Sequence, residues 1–556
     1  MHSETRQCNK CKVEFILDQD ELSFYEKMKV PVPNVCPDCR FEMRAIWRNE
    51  MILYTGQTCG LCGKNIISRY NPKLKYNVYC WKCYFSDKWN PDEYFIDYDL
   101  SKYFVDQFGE LLNKTPKLSL HISEVEGLIV NSDYINSAGG CKNCYFVFNT
   151  SICQESIYSK GIKLCTEVSD IYYALNLDLS YECVNVNKSS GIVFGSNSVG
   201  CVDSFFISNC SGLTNCFGCV NLRNKSYCWF NEQLTHDEYK QKLEEILGSY
   251  SGIEKAKKDF ENFCLKYPHR ENNNQKTVDS TGDYLFECKN VKNSFETTNG
   301  EDCKYVFSCK GPKDSIDVTG WAVSSQRLLN AVSSAYSSNL IAGLGVENSQ
   351  NVLYGFYITN CEDCIGCDSI SNKKFFILNK QYTKKDYEEL KEHIIKELTK
   401  DGIYGLMIPT ELSPFAYNET IAQDNMPLTK EEALAQGFRW EDDIQITKGR
   451  ETLQPEEIPD HIKDVQDSIT SKILKCISCE RNYKIIEQEL LFYRKMNLPI
   501  PHKCFYCRHH DRIKRRGPYK FWDRKCDHCG KDIKTNYSPD RKEIIYCEHC
   551  YQQEVY

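Results

Sequence analysis

The sequence predicts a mainly β protein, a central parallel β-solenoid in two duplicated, helix-capped halves flanked by duplicated four-cysteine zinc-ribbon modules. Three observations predict it. Eight Cys-x-x-Cys pairs lie near the termini, four at each end; the cysteines between them keep a regular spacing; and the middle repeats itself at an offset of 148 residues.

The terminal pairs come first. At the front they are Cys8/Cys11, Cys36/Cys39, Cys59/Cys62 and Cys80/Cys83, separated by 24, 19 and 17 residues. At the back they are Cys476/Cys479, Cys504/Cys507, Cys526/Cys529 and Cys547/Cys550, separated by 24, 18 and 17. Two thiolates two residues apart hold half of a tetrahedral zinc sphere, and a second pair closes it, so four Zn2+ ions are expected. Sequential pairing and a cross-brace both satisfy these spacings. The polar start, His2-Ser-Glu-Thr-Arg6, is not a secretory signal. No stretch approaches the roughly 18 apolar residues of a membrane span. Thiols in such a chain are expected to bind metal in a reducing, cytoplasmic or otherwise intracellular setting.

The modules match beyond cysteine. Glu21-Leu-Ser-Phe24-Tyr25-Glu-Lys27-Met28 with Pro31-Val-Pro33 returns as Glu489-Leu-Leu-Phe492-Tyr493-Arg-Lys495-Met496 with Pro499-Ile-Pro501. Both first halves end Cys-x-x-Cys-Arg, at Arg40 and Arg508.

In the middle, Cys165, Cys183, Cys201 and Cys219 are 18 apart, with Cys210 and Cys228 on the half-steps. Short β-prone runs such as Phe146-Val-Phe148 and Ile192-Val-Phe194 recur between Asn-, Ser- and Gly-containing corners. A coil that cannot bury its own inner face must stack, which predicts a solenoid of about 18 residues per coil with two or three short faces. The ladder cysteines are then small apolar residues inside the tube. The internal runs Cys141/Cys144, Cys216/Cys219 and Cys361/Cys364/Cys367 are candidates for a further metal site. Cys216-Phe-Gly-Cys219 through Tyr239 repeats as Cys364-Ile-Gly-Cys367 through Tyr387. In each copy a threonine, Thr235 or Thr383, opens a helix that caps the stack. The expected segments are residues 1–100 (zinc module), 101–250 and 251–400 (solenoid halves), 401–470 (helical linker) and 471–556 (zinc module).

The motifs Phe-Tyr-x-Lys-Met, Pro-x-Pro, Cys-Pro-x-Cys-Arg and Ser413-Pro-Phe-x-Tyr-Asn418-Glu carry a resemblance. The chain resembles zinc-ribbon-flanked repeat proteins of small-genome bacteria and large DNA viruses. That resemblance implies an architecture over most of the chain. The family carries no established activity, so no catalytic residue transfers.

Charge is uneven. Residues 1–100 balance 14 Lys and Arg against 14 Asp and Glu, and residues 471–556 hold 19 against 11; with the chain at −8, residues 101–470 are left at −16. The basic, aromatic-bearing link after Cys507 holds Arg508, Arg512, Lys514, Arg515, Arg516, Lys520, Trp522, Arg524 and Lys525. Cations interleaved with aromatics suit RNA or DNA phosphate with base stacking. The competing reading has these arginines neutralising zinc–thiolate centres or binding acidic protein surface, the chain's own solenoid included.

Histidines are sparse in the middle, and no carboxylate spacing forms a convincing acid–base pair. All eight terminal pairs belong to closed sites, whereas catalytic zinc keeps a position for water. The expectation is therefore a non-enzymatic adaptor or scaffold that contacts nucleic acid through its C-terminal module. The alternatives are a structural assembly or virion protein binding other proteins through both modules, and a carbohydrate-active solenoid enzyme. Protein partners fit, a membrane does not, and oligomeric state is not encoded in these patterns.

Overall fold

A computed structural model describes residues 3–124, 127–444 and 447–555. The chain folds into two compact units. One joins residues 1–119 to 272–442, and the other joins residues 120–271 to 443–556. The N-terminal cysteine module therefore packs with the second solenoid half, and the C-terminal module with the first.

Each half is a stack of parallel coils. In the first, Lys160 pairs with Tyr172 and Tyr172 with Val184; in the second, Gln326 pairs with Ser338 and Ser338 with Gln350. Each partner stands twelve positions further on, so the coil is shorter than the expected 18. The backbone shows why. Every third residue is left-handed, as at Asn143, Phe146, Asn149 and Ile152 (φ 50° to 54°). Each left-handed residue turns a corner, three residues make a side, and four sides close a coil, where two or three faces were expected. Cysteine intervals of 9 and 18 are three-quarters of a coil and one and a half coils.

The residue after each corner points into the lumen. In the second half this position holds Cys288, Val291, Cys303, Val306, Cys309 and Val318, all buried in one cluster. The internal Cys-x-x-Cys runs fall at this position too. Among the described residues they join no group of three or more ligands close enough to hold a metal. So narrow a lumen leaves no room for water, and inward polar groups must satisfy one another. Serine does this twice. Ser204 donates to the Val202 carbonyl (2.8 Å) and accepts from the Cys216 amide one coil on (3.2 Å). Ser180 with Ile192, Ser189 with Cys201 and Ser349 with Cys361 repeat the acceptor role. Outward, asparagines at successive corners form amide ladders, as Asn339 to Asn351 (3.0 Å) and Asn351 to Asp363 (3.1 Å). Asparagine is among the few side chains at ease in the left-handed region.

The second half carries one extra residue, shifting the register from 12 to 13 between Lys313 and Gln326. Gly320 and Trp321 are both left-handed there. A Cβ on Gly320 would lie 1.3 Å from Arg48 Nη1 of the N-terminal module, so a side chain there would displace that guanidinium.

Helices close the C-terminal end of each half. His236–Glu244 starts at Thr235 with a full capping box, and Lys384–Lys400 starts at Thr383, which accepts from the Asp386 amide. Antiparallel strands just before them end the parallel ladder. Among the described residues, no helix is long and apolar enough to cross a membrane.

Ser204→Ala removes the acceptor of the buried Cys216 amide and is expected to lower stability by about 1–3 kcal/mol, whereas Ser204→Cys should cost less. Urea denaturation of the two variants beside wild type measures the difference.

Candidate metal centres and their anchorage

Four cysteine tetrads can each hold a metal ion: Cys8/Cys11/Cys36/Cys39, Cys59/Cys62/Cys80/Cys83, Cys476/Cys479/Cys504/Cys507 and Cys526/Cys529/Cys547/Cys550. In each, the four sulfurs lie within 4.8 Å of one another. Pairing is sequential, first knuckle with second and third with fourth, which decides between the two arrangements open in the sequence.

The four sites share one construction. The first pair sits in the turn of a short antiparallel hairpin, such as Glu4–Gln7 with Glu14–Leu17. The residue after its second cysteine is left-handed: Lys12, Gly63, Glu480 or Gly530. That residue's amide returns to the carbonyl of the first cysteine at 2.9–3.0 Å. The second pair opens a helix, Pro37–Ala45, Trp81–Tyr84, Phe505–Arg516 or Glu548–Val555. The third cysteine's amide donates to the first cysteine's sulfur, at 3.2 Å for Cys36 to Cys8, Cys504 to Cys476 and Cys547 to Cys526, and 3.3 Å for Cys80 to Cys59.

These amides favour the thiolate that a metal requires. Burial opposes ionisation of Cys59, but the Cys62, Cys80 and Leu61 amides bring it down to about 6. Burial likewise opposes Cys526, and the Cys529, Cys547 and His528 amides bring it down to about 6. Cys8 moves the same way against burial, by the Cys36 and Cys11 amides. Cys476 lies far below the ordinary thiol range because the Cys479, Cys504 and Cys507 thiols all face it. Four cysteine ligands close each sphere.

The helices that complete the first and third sites also anchor the modules. One turn apart on one face, Arg40 and Arg44 meet the corner carboxylate of Asp317, Arg40 Nε at 2.6 Å and Arg44 Nη1 at 3.0 Å. All three side chains are fully buried. Arg44 also reaches Thr319 (3.1 Å) and Asn330 (3.0 Å). In the other unit, Arg508 and Arg512 meet Asp170 at 3.1 and 2.8 Å. Arg512 and Arg515 meet Glu182, one corner further along the same line, at 3.2 and 2.5 Å. Arg40 and Arg508 also donate to equivalent carbonyls, of Val35 (2.7 Å) and Lys503 (3.0 Å).

The second and fourth sites anchor through the tyrosine that follows their last cysteine. Tyr84 bonds to Ser369 (2.5 Å), and Tyr551 to Asn221 (2.8 Å). Ser369 and Asn221 are equivalent left-handed corners on the next line. Each module thus lies across one face of its solenoid half, held at both edges.

This arrangement removes three residues from the expected nucleic-acid contact set. Arg508, Arg512 and Arg516 are buried, the first two in the ion pairs above and Arg516 on the Tyr172 hydroxyl at 2.8 Å. They have no surface to offer a phosphate. Arg515 is tied to Glu182. Lys514, Lys520 and Lys525 are exposed, and Trp522 and Arg524 half-buried; Lys525 pairs with Asp532 (2.8 Å) and Arg524 with Asp527 (3.6 Å). The competing reading, arginines bound to the chain's own solenoid, describes the buried ones.

Sequence reasoning missed the sockets. Asp170 and Asp317 occupy equivalent corners of the two halves, and an Arg-x-x-x-Arg follows both Cys39 and Cys507; that pair of coincidences was the available signal. The Ser413-Pro-Phe motif also gains a role. Ser413 donates to the Ile46 carbonyl (3.0 Å), Phe415 stacks on Tyr70 (centroids 5.5 Å apart) and Glu419 accepts from Tyr54. It straps the N-terminal module across both of its sites.

Each module brings one buried glutamate of its own to the anchor, at equivalent positions, Glu21 and Glu489. Glu21 is met by Lys304 at 2.6 Å. The equivalent Glu489 has Arg508 only at 3.4 Å, with Tyr158 (3.2 Å) and Tyr493 (2.7 Å) donating. Burial outweighs these partners and pushes Glu489 up to about 7.

Asp317→Ala takes the shared carboxylate from the two buried guanidiniums of Arg40 and Arg44 and is expected to destabilise its own unit by about 3–5 kcal/mol, read by denaturant unfolding; Asp170→Ala should cost less, because Arg512 keeps Glu182 and Arg508 keeps Glu489. Glu489 gives a pH signature. Its folded pKa is raised, so the unfolded chain loses the proton first and stability falls as pH rises through the range up to about 7. The stability of Glu489→Gln relative to wild type should therefore grow with pH up to neutrality and then level off, with metal held in excess in both. Comparison with family models gives no match, and comparison with curated proteins gives none either.

Proposed function

We propose that the protein is a non-catalytic, zinc-dependent scaffold. One observation carries this reading: each module commits its arginine-bearing helix to its own solenoid half through a buried arginine pair on a corner aspartate. Four soft thiolates in a tetrahedral cluster suit Zn2+, and four protein ligands leave no position for a reacting water. The zinc then acts on shape. It fixes the start of the helix whose next turns carry the anchoring arginines, so metal binding and module docking are linked. Adaptor use fits the open solenoid faces, which repeat chemically similar positions every coil.

Nucleic-acid binding is the competing reading. It rests on Lys514, Lys520, Trp522, Arg524 and Lys525, and the aspartates beside Arg524 and Lys525 weaken it.

Two measurements on the full chain test the proposal. A strong chelator should release one Zn2+ per tetrad and open residues 1–100 and 471–556 to protease before the solenoid strands lose their circular-dichroism signal. Mixed RNA and DNA should form no salt-sensitive complex at low ionic strength. Tight binding that salt abolishes and that Lys520→Glu/Lys525→Glu removes would replace the scaffold reading with a nucleic-acid one.

A further inference from the structure

The first solenoid half exposes large apolar side chains along one edge. Val130, Ile152, Leu164, Leu175, Val199 and Val202 are 38–46 % exposed. Ile152 and Leu164 are successive corners of one line, a single coil apart, and both are left-handed (φ 54°). The other four stand on the rows flanking that line: Leu175 over Lys163, Val199 under Ser211, Val130 under Lys142 and Val202 over Ser190. The line lies two sides, and so half a coil, from the corners Tyr158, Asp170 and Glu182 that the zinc module clamps.

An isoleucine or leucine at such a corner is disfavoured twice, by its backbone conformation and by its exposure. Elsewhere in this half, apolar corners are covered from within the unit. Phe505 packs on Tyr158, Phe260 on Phe206 and Phe263 on Phe230. The fold itself does not require apolar residues on the exposed line. In the second half, the corners equivalent to Ile152 and Leu164 are Asn299 and Gly311, two residue types suited to a left-handed backbone.

Charge and length indicate what covers the edge. Within the stripe, Lys142, Lys163 and Lys188 lie on the line or its flanking rows, against one carboxylate, Asp178. Lys142 and Lys188 are exposed. From Val130 to Val202 the stripe crosses six coil intervals, about 29 Å at the usual strand spacing. A helix of about 20 residues has that length.

We propose that this edge docks an acidic amphipathic helix of a partner protein, laid along the solenoid axis with its apolar face on Ile152, Leu164 and Leu175. The proposal rests on the scaffold reading and names its partner class.

The test uses the full, metal-loaded chain and two synthetic peptides of about 20 residues with the same leucine stripe, one flanked by glutamate and one by lysine. Fluorescence anisotropy should show the acidic peptide binding about tenfold or more tighter than the basic one. Ile152→Asn/Leu164→Asn should weaken the acidic peptide by a similar factor while leaving the melting temperature unchanged or raised. Binding unaffected by the double substitution, equal binding of both peptides, or no binding overturns the proposal. So does a fall in melting temperature, which would mark the two side chains as structural. A wild-type dimer in sedimentation that the substitution dissolves would assign the edge to a second copy of this chain, and also overturns it. None of these outcomes changes metal release or nucleic-acid binding, so the scaffold reading is judged separately.

Discussion

A left-handed residue at every third position is the constraint from which the rest of the molecule follows. It shrinks the coil to four three-residue sides, each sending one side chain into a lumen packed mostly with cysteine, valine, leucine and isoleucine. Within that lumen an inward amide has no water, so serine, threonine and cysteine become preferred inward residues beside valine and isoleucine. The abundance of cysteine in the middle is thus a packing outcome. The same residue type can hold a metal at the ends of the chain because there the backbone brings four sulfurs together.

Corners pointing outward are the second consequence. A repeat that looks uniform offers specific addresses, because one corner substituted by aspartate becomes a socket. Asp170 and Asp317 are fully buried once a module helix lies over them. A buried carboxylate is strongly destabilising alone, and it becomes acceptable when two guanidiniums one helical turn apart converge on it. The helix register places those guanidiniums, and the tetrad places the helix. Metal site, helix and socket form one mechanical chain, present twice.

This explains what the sequence could reveal. The tetrads were legible because each pair of ligands is local and the four pairs recur in order. The capping threonines Thr235 and Thr383 were legible for the same reason. The coil length was not. Inward positions come every three residues and accept Cys, Ser, Val or Ile alike, so the cysteines alone sample a lattice on which 9 and 18 are as natural as 12. The arginines after Cys507 read as outward-facing because their partner, Asp170, belongs to a distant part of the chain. A basic run with aromatics has the same composition whether it faces phosphate or a buried aspartate.

The two sockets also differ in a way that assigns each module to one half. In the first half the solenoid contributes Asp170 and Glu182, and the C-terminal module answers with Arg508, Arg512 and Arg515 beside its own Glu489. In the second half the solenoid contributes Asp317 and Lys304, and the N-terminal module answers with Arg40, Arg44, Asp18 and Glu21. Each completed set holds three acids and three bases. An exchange of modules would place the N-terminal set, balanced in itself, against two buried carboxylates, and would leave the C-terminal arginines in excess against a solenoid surface that already holds its own lysine. Uncompensated charge at the buried members of these sets costs several kcal/mol. The pairing of each module with its distant half is therefore set by the mismatch an exchange would create, since the shared arginine–aspartate contact is available in both.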